Sequence, residues 1–153
     1  MQYIKLLIIV FLINSCNKDE FPIIACSTKT NQMDDVKKLI TGTYNWVYTK
    51  VTYQIGSTIE TPSSTGVRYK YVFKSNGQVD YFENDTLKWN NKYVVDYEFK
   101  VTTYPLDSAT IIIINDKETG QREEFFRPYL CNDSAKFYNP YNSIDFQRYF
   151  KRN

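Results

Sequence analysis

The chain has 153 residues, which at about 100–200 residues per domain is one folded unit. A composition of 42% hydrophobic and 17% aromatic residues carries ample apolar surface for a core and excludes wholesale disorder. The net charge of +2 lacks the basic excess of a nucleic-acid binder, and the absence of histidine excludes His-based triads, His metal sites and imidazole switching.

The N-terminus reads as an address. Lys5 precedes an unbroken apolar run over residues 6–13, too short to span a bilayer as a helix and long enough for the core of a secretory signal. Ile13, Asn14, Ser15 and Cys16 then resemble a bacterial lipobox, with an aliphatic residue three before the cysteine and a small one directly before it. The resemblance implies cleavage before Cys16, a diacylglycerol thioether on its sulfur and an acyl group such as palmitate on the new amine. Cysteine suits that transfer because its thiolate is a good nucleophile, and several acyl chains anchor firmly where one does not. An ordinary signal peptide with a cysteine near its end is the alternative. Residues 1–15 are thus expected to be a signal peptide and residues 16–32 a lipidated tether. Lys18, Asp19 and Glu20 resemble the export tag by which Bacteroidetes send lipoproteins to the outer face of the outer membrane. A solvated charged linker on the periplasmic side is the other reading.

Residues 33–153 are expected to form the folded domain. Asp34 and Asp35 precede Lys37 and Lys38, an order that matches the helix dipole and predicts two helical turns over residues 34–40, stopped by Gly42. Strands follow, the first over residues 43–53. Residues 61–66 (TPSSTG) read as a rim loop. Val67, Tyr69, Tyr71 and Phe73 alternate with Arg68, Lys70, Val72 and Lys74. Tyr93, Val95, Tyr97, Phe99 and Val101 alternate likewise with Lys92, Val94, Asp96, Glu98 and Lys100. Period-two patterning with one apolar and one mostly charged face predicts half-buried antiparallel strands. Between them Asn76 and Gly77 predict a type I′ hairpin turn, which needs positive φ at both central residues. Further strands are expected over residues 79–83, 110–114, 122–127 and 144–151, with short pieces at 87–89 and 135–138.

About eight short antiparallel strands suit an all-β, up-and-down β-barrel with one short N-terminal helix. A membrane-spanning barrel would put the charged face against lipid tails, so a water-soluble barrel is expected. Residues 39–46 (LITGTYNW), 61–66 (TPSSTG) and 71–77 (YVFKSNG), with residues 130–134 (LCNDS) and an aromatic strand containing Arg148, resemble the lipocalin-like lipoproteins of Bacteroidetes. The resemblance implies a calycin-type barrel whose biochemical role is generally unassigned. There is one departure. Lipocalins carry Gly-x-Trp, whereas Tyr44 holds that position here and Trp46 comes two residues later on the same face.

Tyr44, Trp46, Tyr69, Tyr71, Phe73, Tyr93, Tyr97 and Phe99 are expected to face the barrel interior. They either line an apolar pocket whose hydroxyls orient a ligand, or fill an eight-stranded interior completely. Arg148 shares a face with Ile144, Phe146 and Phe150, so it is also expected inside, where a guanidinium needs partners. The resemblance implies that Arg148 packs over Trp46 or Tyr44 and bonds to backbone at the closed end. Its other reading is an anchor for an anionic ligand.

If Cys16 is lipidated, Cys26 and Cys131 remain as an even pair in an exported chain, either bonded or as two buried thiols. Thr86, Ser108 and Ser134, each preceded by Asp and followed by a small or aliphatic residue, resemble Bacteroidetes O-glycosylation acceptors; Asp-Ser and Asp-Thr turn chemistry is the plain alternative. Glu123 and Glu124 alternate across a strand and are not expected to share a site. No glycine-rich phosphate loop or metal-ligand cluster is evident, so no cofactor and no enzyme activity is expected. The expected function is that of an outer-membrane-anchored, non-catalytic barrel that binds a small apolar or amphipathic ligand. The alternative is a filled barrel that serves as a structural or protein-interaction lipoprotein of the envelope.

Overall fold

The structure, a computed structural model, describes residues 33–99, 108–139 and 145–153, without the side chains of residues 98, 99 and 108. Its first strand, β1 (Gly42–Tyr53), both opens and closes the fold. After it come β2 (Gly56–Glu60), the single-turn helix α2 (Pro62–Thr65), β3 (Tyr69–Phe73), β4 (Gln78–Glu83) and β5 (Thr86–Phe99). The chain continues through β6 (Ser108–Asn115), β7 (Arg122–Leu130), β8 (Ser134–Asn139) and β9 (Asp145–Arg152). From β3 to β9 each strand pairs antiparallel with the next, and β1 takes β3 on one edge and β9 on the other. The result is a closed eight-stranded up-and-down barrel of the expected all-β, lipocalin-like kind. Closure satisfies the backbone groups that an open sheet would leave at its edges.

β2 is not a ninth stave of that ring. It pairs with residues 49–53 of β1, beyond the stretch covered by β3, so β2, α2 and β3 run as one wall strand interrupted by a helical turn. The rim loop expected over residues 61–66 is therefore more ordered than its composition suggests. Thr61 supplies the reason: its hydroxyl accepts from the Ser64 amide at 3.2 Å while the Ser64 hydroxyl accepts from the Thr61 amide at 2.9 Å. Pro62 fits the first helical position, and Gly66 ends the turn in the left-handed region at φ 71°.

The N-terminal helix α1 (Met33–Leu39) begins one residue before its expected position. Seven residues are too few to hold a helix in water. It persists because Val36 and Ile40 are fully buried in the hydrophobic core and the helix packs against β5 and β7.

The type I′ turn expected at Asn76-Gly77 lies elsewhere in the barrel. The Asn76-Gly77 turn has only Gly77 at positive φ, with the Gly77 amide donating to the Lys74 carbonyl and the Lys74 amide to Gln78, so it is a three-residue loop with a glycine bulge rather than type I′. The I′ geometry appears instead between β4 and β5, at Asn84 (φ 50°) and Asp85 (φ 62°). Asn84 tolerates this because its side-chain oxygen accepts from the Arg68 amide at 2.9 Å. The pieces expected at residues 87–89 and 92–101 are one continuous strand through Phe99, bridged by Asn90 and Asn91. Asn90 bonds to Asp80, and the buried Asn91 amide reaches Glu123 at 2.6 Å. Paired polar side chains thus sit in a strand that composition alone divides.

A register shift in β1 against β9, between Trp46 and Tyr48, reverses the alternation of β1. Tyr44 and Trp46 face inward before it, Thr49 and Val51 after it, and all four are buried. Tyr48 goes to the other face and stacks on Tyr149, with ring centroids 4.3 Å apart.

Candidate functional site

The closed half of the barrel is solid. Tyr44 is fully buried between Phe73 and Phe137, with ring centroids 5.7 Å away in each case, and its hydroxyl donates to the Leu39 carbonyl at 2.8 Å. Burial pushes that phenol up to about 12, against the pull of nearby Arg152. Phe73 is buried, and Tyr93, half-buried, meets it edge-on and donates to the Lys74 carbonyl at 2.9 Å.

The arginine of this end is Arg152, not Arg148. Arg152 Nη2 donates to the Thr41 carbonyl at 2.6 Å, and its guanidinium lies 6.0 Å from the centre of the Tyr44 ring. The role that the family resemblance implied for Arg148 is thus taken four residues later on the same strand face. The sequence signal was present: Arg148, Phe150 and Arg152 alternate together, and the strand end meets the β1 start at Tyr44 opposite Arg152.

Arg148 sits further toward the open end. Phe137 and Thr49 are its cross-strand neighbours, and it is surrounded by Tyr71, Glu124, Tyr81 and Tyr69. Its Nη1 lies 3.6 Å from Glu124 Oε1. The other oxygen of Glu124 accepts from the Tyr71 hydroxyl at 2.8 Å. Burial, then the Glu124 carboxylate, holds the Tyr71 phenol well above its ordinary range, so it stays a donor at all physiological pH.

Around this polar triplet the rings form a connected wall. Trp46 packs on Tyr69 at 4.9 Å, Tyr69 on Tyr81 at 6.0 Å, and Tyr81 stacks on Trp89 at 4.9 Å. The Trp46 indole N–H donates to Thr49 Oγ1 at 2.9 Å. Phe126 and Phe137 stack at 4.5 Å on the opposite side. Beside that stack is a cavity of about 200 Å³ lined by Glu124, Phe125, Phe126, Phe137, Asn139, Phe146 and Arg148. It is apolar over most of its wall, with the Glu124 and Arg148 charges at one side.

Of the residues expected inside, Tyr44, Trp46, Tyr71 and Phe73 are buried, and Tyr69 and Tyr93 pack partly buried against the core. Tyr97 departs from the expectation. It is 39% exposed, two residues beyond Val95, the last residue of β5 in the core, on a stretch that pairs with β6 after the β4 pairing has ended at Lys92. The Phe99 side chain lies outside the described residues. Trp89, Tyr81, Phe126 and Glu124 escaped the sequence reading, although Glu124, Phe126, Pro128 and Leu130 alternate in register. Glu123 and Glu124 do not follow strict alternation either. A register shift between Ile114 and Asn115 lets Glu124 reach Tyr71 while Glu123 reaches Asn91.

Cys131, in the turn after β7, is disulfide-bonded to a partner outside the described residues; Cys16 and Cys26 both fall there. Thr86 is exposed at the start of β5, and the Ser108 side chain is outside the described set. Ser134 is 8% exposed, and its hydroxyl donates to Asp133 Oδ1 at 2.9 Å. Among the described residues no group of three or more Cys, Asp or Glu side chains converges as metal ligands would. No family model, no curated protein and no solved structure matches the chain.

Proposed function

We propose that the protein is a non-catalytic, lipid-anchored barrel of the outer membrane that holds a small amphipathic molecule near the open end of its interior. The observation that carries this reading is the cavity of about 200 Å³, walled by phenylalanines and edged by Glu124 and Arg148. Ligand sites are typically concave, mostly apolar and fixed by a few polar groups, and this cavity has that composition. Its size limits the occupant to a short molecule, since Tyr71, Phe73 and Phe137 occupy the space below. The anchor and location rest on the lipobox-like residues ending at Cys16 and on the lysine and acidic residues behind it.

Two measurements test the proposal. Native mass spectrometry of the intact chain is expected to release a small bound molecule, and repeated recovery of an empty chain that takes up no small amphiphile would remove the ligand reading. Labelling with an alkyne palmitate analogue is expected to mark the wild type and not Cys16→Ser. A second reading, a filled barrel that docks an envelope protein, draws on the tip of the β1–β2 hairpin, where Ile55 is fully exposed and Tyr53 is 47% exposed. Cross-linking through that tip is expected to capture a partner on this reading alone.

A further inference from the structure

We infer that the occupant of the Phe126–Phe137 cavity is a small monocarboxylic acid, bound as its anion by Arg148; this rests on the ligand reading above. The inference comes from a mismatch between donors and acceptors. Arg148 faces an interior of tyrosines and one carboxylate, yet among the described residues it makes no hydrogen bond: its only polar contact is the 3.6 Å approach of Nη1 to Glu124 Oε1. Glu124 cannot close that gap freely, because its other oxygen is held by Tyr71 at 2.8 Å from across the barrel. Most of the guanidinium fork is therefore unanswered at the cavity wall, and Arg148 is itself one of the lining residues.

The missing partner is an acceptor. Two parallel acceptor oxygens match the planar fork best, which favours a carboxylate over an alcohol or an amide. Glu124 does not forbid a second anion, because one guanidinium can bridge two carboxylates through different N–H pairs and Tyr71 already shares the Glu124 charge. The rest of the ligand is short and largely apolar, as the remaining wall is Phe125, Phe126, Phe137 and Phe146, with Asn139 the one polar side chain among them.

The test compares 3-phenylpropionate with 3-phenylpropan-1-ol, which share a tail and differ in the head group. Calorimetric titration of the intact chain in detergent at neutral pH is expected to give at least about tenfold tighter binding of the acid. Arg148→Gln is expected to remove that preference while keeping the weaker affinity for the alcohol. If the acid and the alcohol bind equally, or the alcohol binds better, the carboxylate inference is overturned and the cavity remains a ligand site. If neither binds, both readings fall together. The comparison on the wild-type chain stands even where Arg148→Gln does not fold, and Arg148→Lys, which keeps the charge and loses the fork, is expected to retain only part of the preference.

Discussion

The Tyr71 hydroxyl on β3 donates to Glu124 Oε2 on β7 at 2.8 Å, joining strands that lie on different sides of the closed barrel and are 53 residues apart in the chain. The bond orients Glu124 beside Arg148 and so sets the polar side of the cavity. Tyr71→Phe removes the donor and leaves a half-buried carboxylate oxygen without it. Urea unfolding is expected to show a loss of about 1–3 kcal/mol; an unchanged midpoint would mean that water replaces the phenol at no cost.

The buried phenols make the protein sensitive to alkali. Tyr44, Tyr48 and Tyr81 are each pushed up to about 12, mainly by burial, and Tyr71 is raised as well. In the unfolded chain these groups return to their ordinary value of 10.0. Above that value the unfolded chain releases protons that the folded chain retains, so the unfolded state is favoured. Stability from these residues is complete below pH 10 and is expected to fall steadily as pH rises toward 12. Phenolate absorbance measured with circular dichroism should show their ionisation coinciding with loss of the fold, and free titration near 10 in a folded protein would contradict it.

Trp46 depends on a single partner for its indole N–H, Thr49 Oγ1 at 2.9 Å, and both residues are buried. Thr49→Val preserves shape and removes the acceptor, so a loss of about 1–3 kcal/mol is expected in chemical denaturation. Adding Trp46→Phe, which removes the orphaned donor, should make the second change cost less than it does alone, as a double-mutant cycle would reveal.

Gly42 opens β1 at φ 149°, and a side chain there would begin 2.9 Å from Arg152 Nε. Gly42→Ala therefore strains the backbone and presses on the arginine that bonds Thr41. The expected cost is about 1–3 kcal/mol in melting experiments. In an Arg152→Ala background the same change should cost less, because the contact is gone and only the backbone strain remains.

The Asn84–Asp85 turn joins β4 to β5 through two residues. Asp85→Gly accepts its positive φ of 62° and loses only exposed ion pairs to Arg68 and Lys70, at 3.3 and 3.6 Å. It is expected to change stability by less than about 0.5 kcal/mol. Asp85→Val places a β-branched residue in the left-handed region and is expected to cost more than about 1 kcal/mol. Equal effects of the two would show that the turn relaxes away from this geometry.

The sequence by itself determined the architecture. Alternation along residues 69–73 and 93–97 separates an apolar face from a charged one, and that separation has few solutions other than a sheet that hides one side. The acidic-to-basic order in α1 was legible for the same reason: it acts through neighbours in the chain. So was the inward face of β9, where Phe146, Arg148 and Phe150 share one parity.

What lies opposite each inward residue was decided only by the tertiary structure. Register shifts at Trp46/Tyr48 and at Ile114/Asn115 each insert one residue into a strand, and one residue is enough to exchange its two faces. For that reason Thr49 rather than Tyr48 meets Arg148, and Glu123, the extra residue of β7, reaches Asn91 while Glu124 keeps the parity of Phe126. The choice between Arg148 and Arg152 at the closed end was decided in the same way, since both obey the same period and only the strand pairing fixes their depth. Alternation reports which face a side chain takes; depth along the barrel and the partner across it arise from pairings between residues distant in sequence, and no local pattern encodes them.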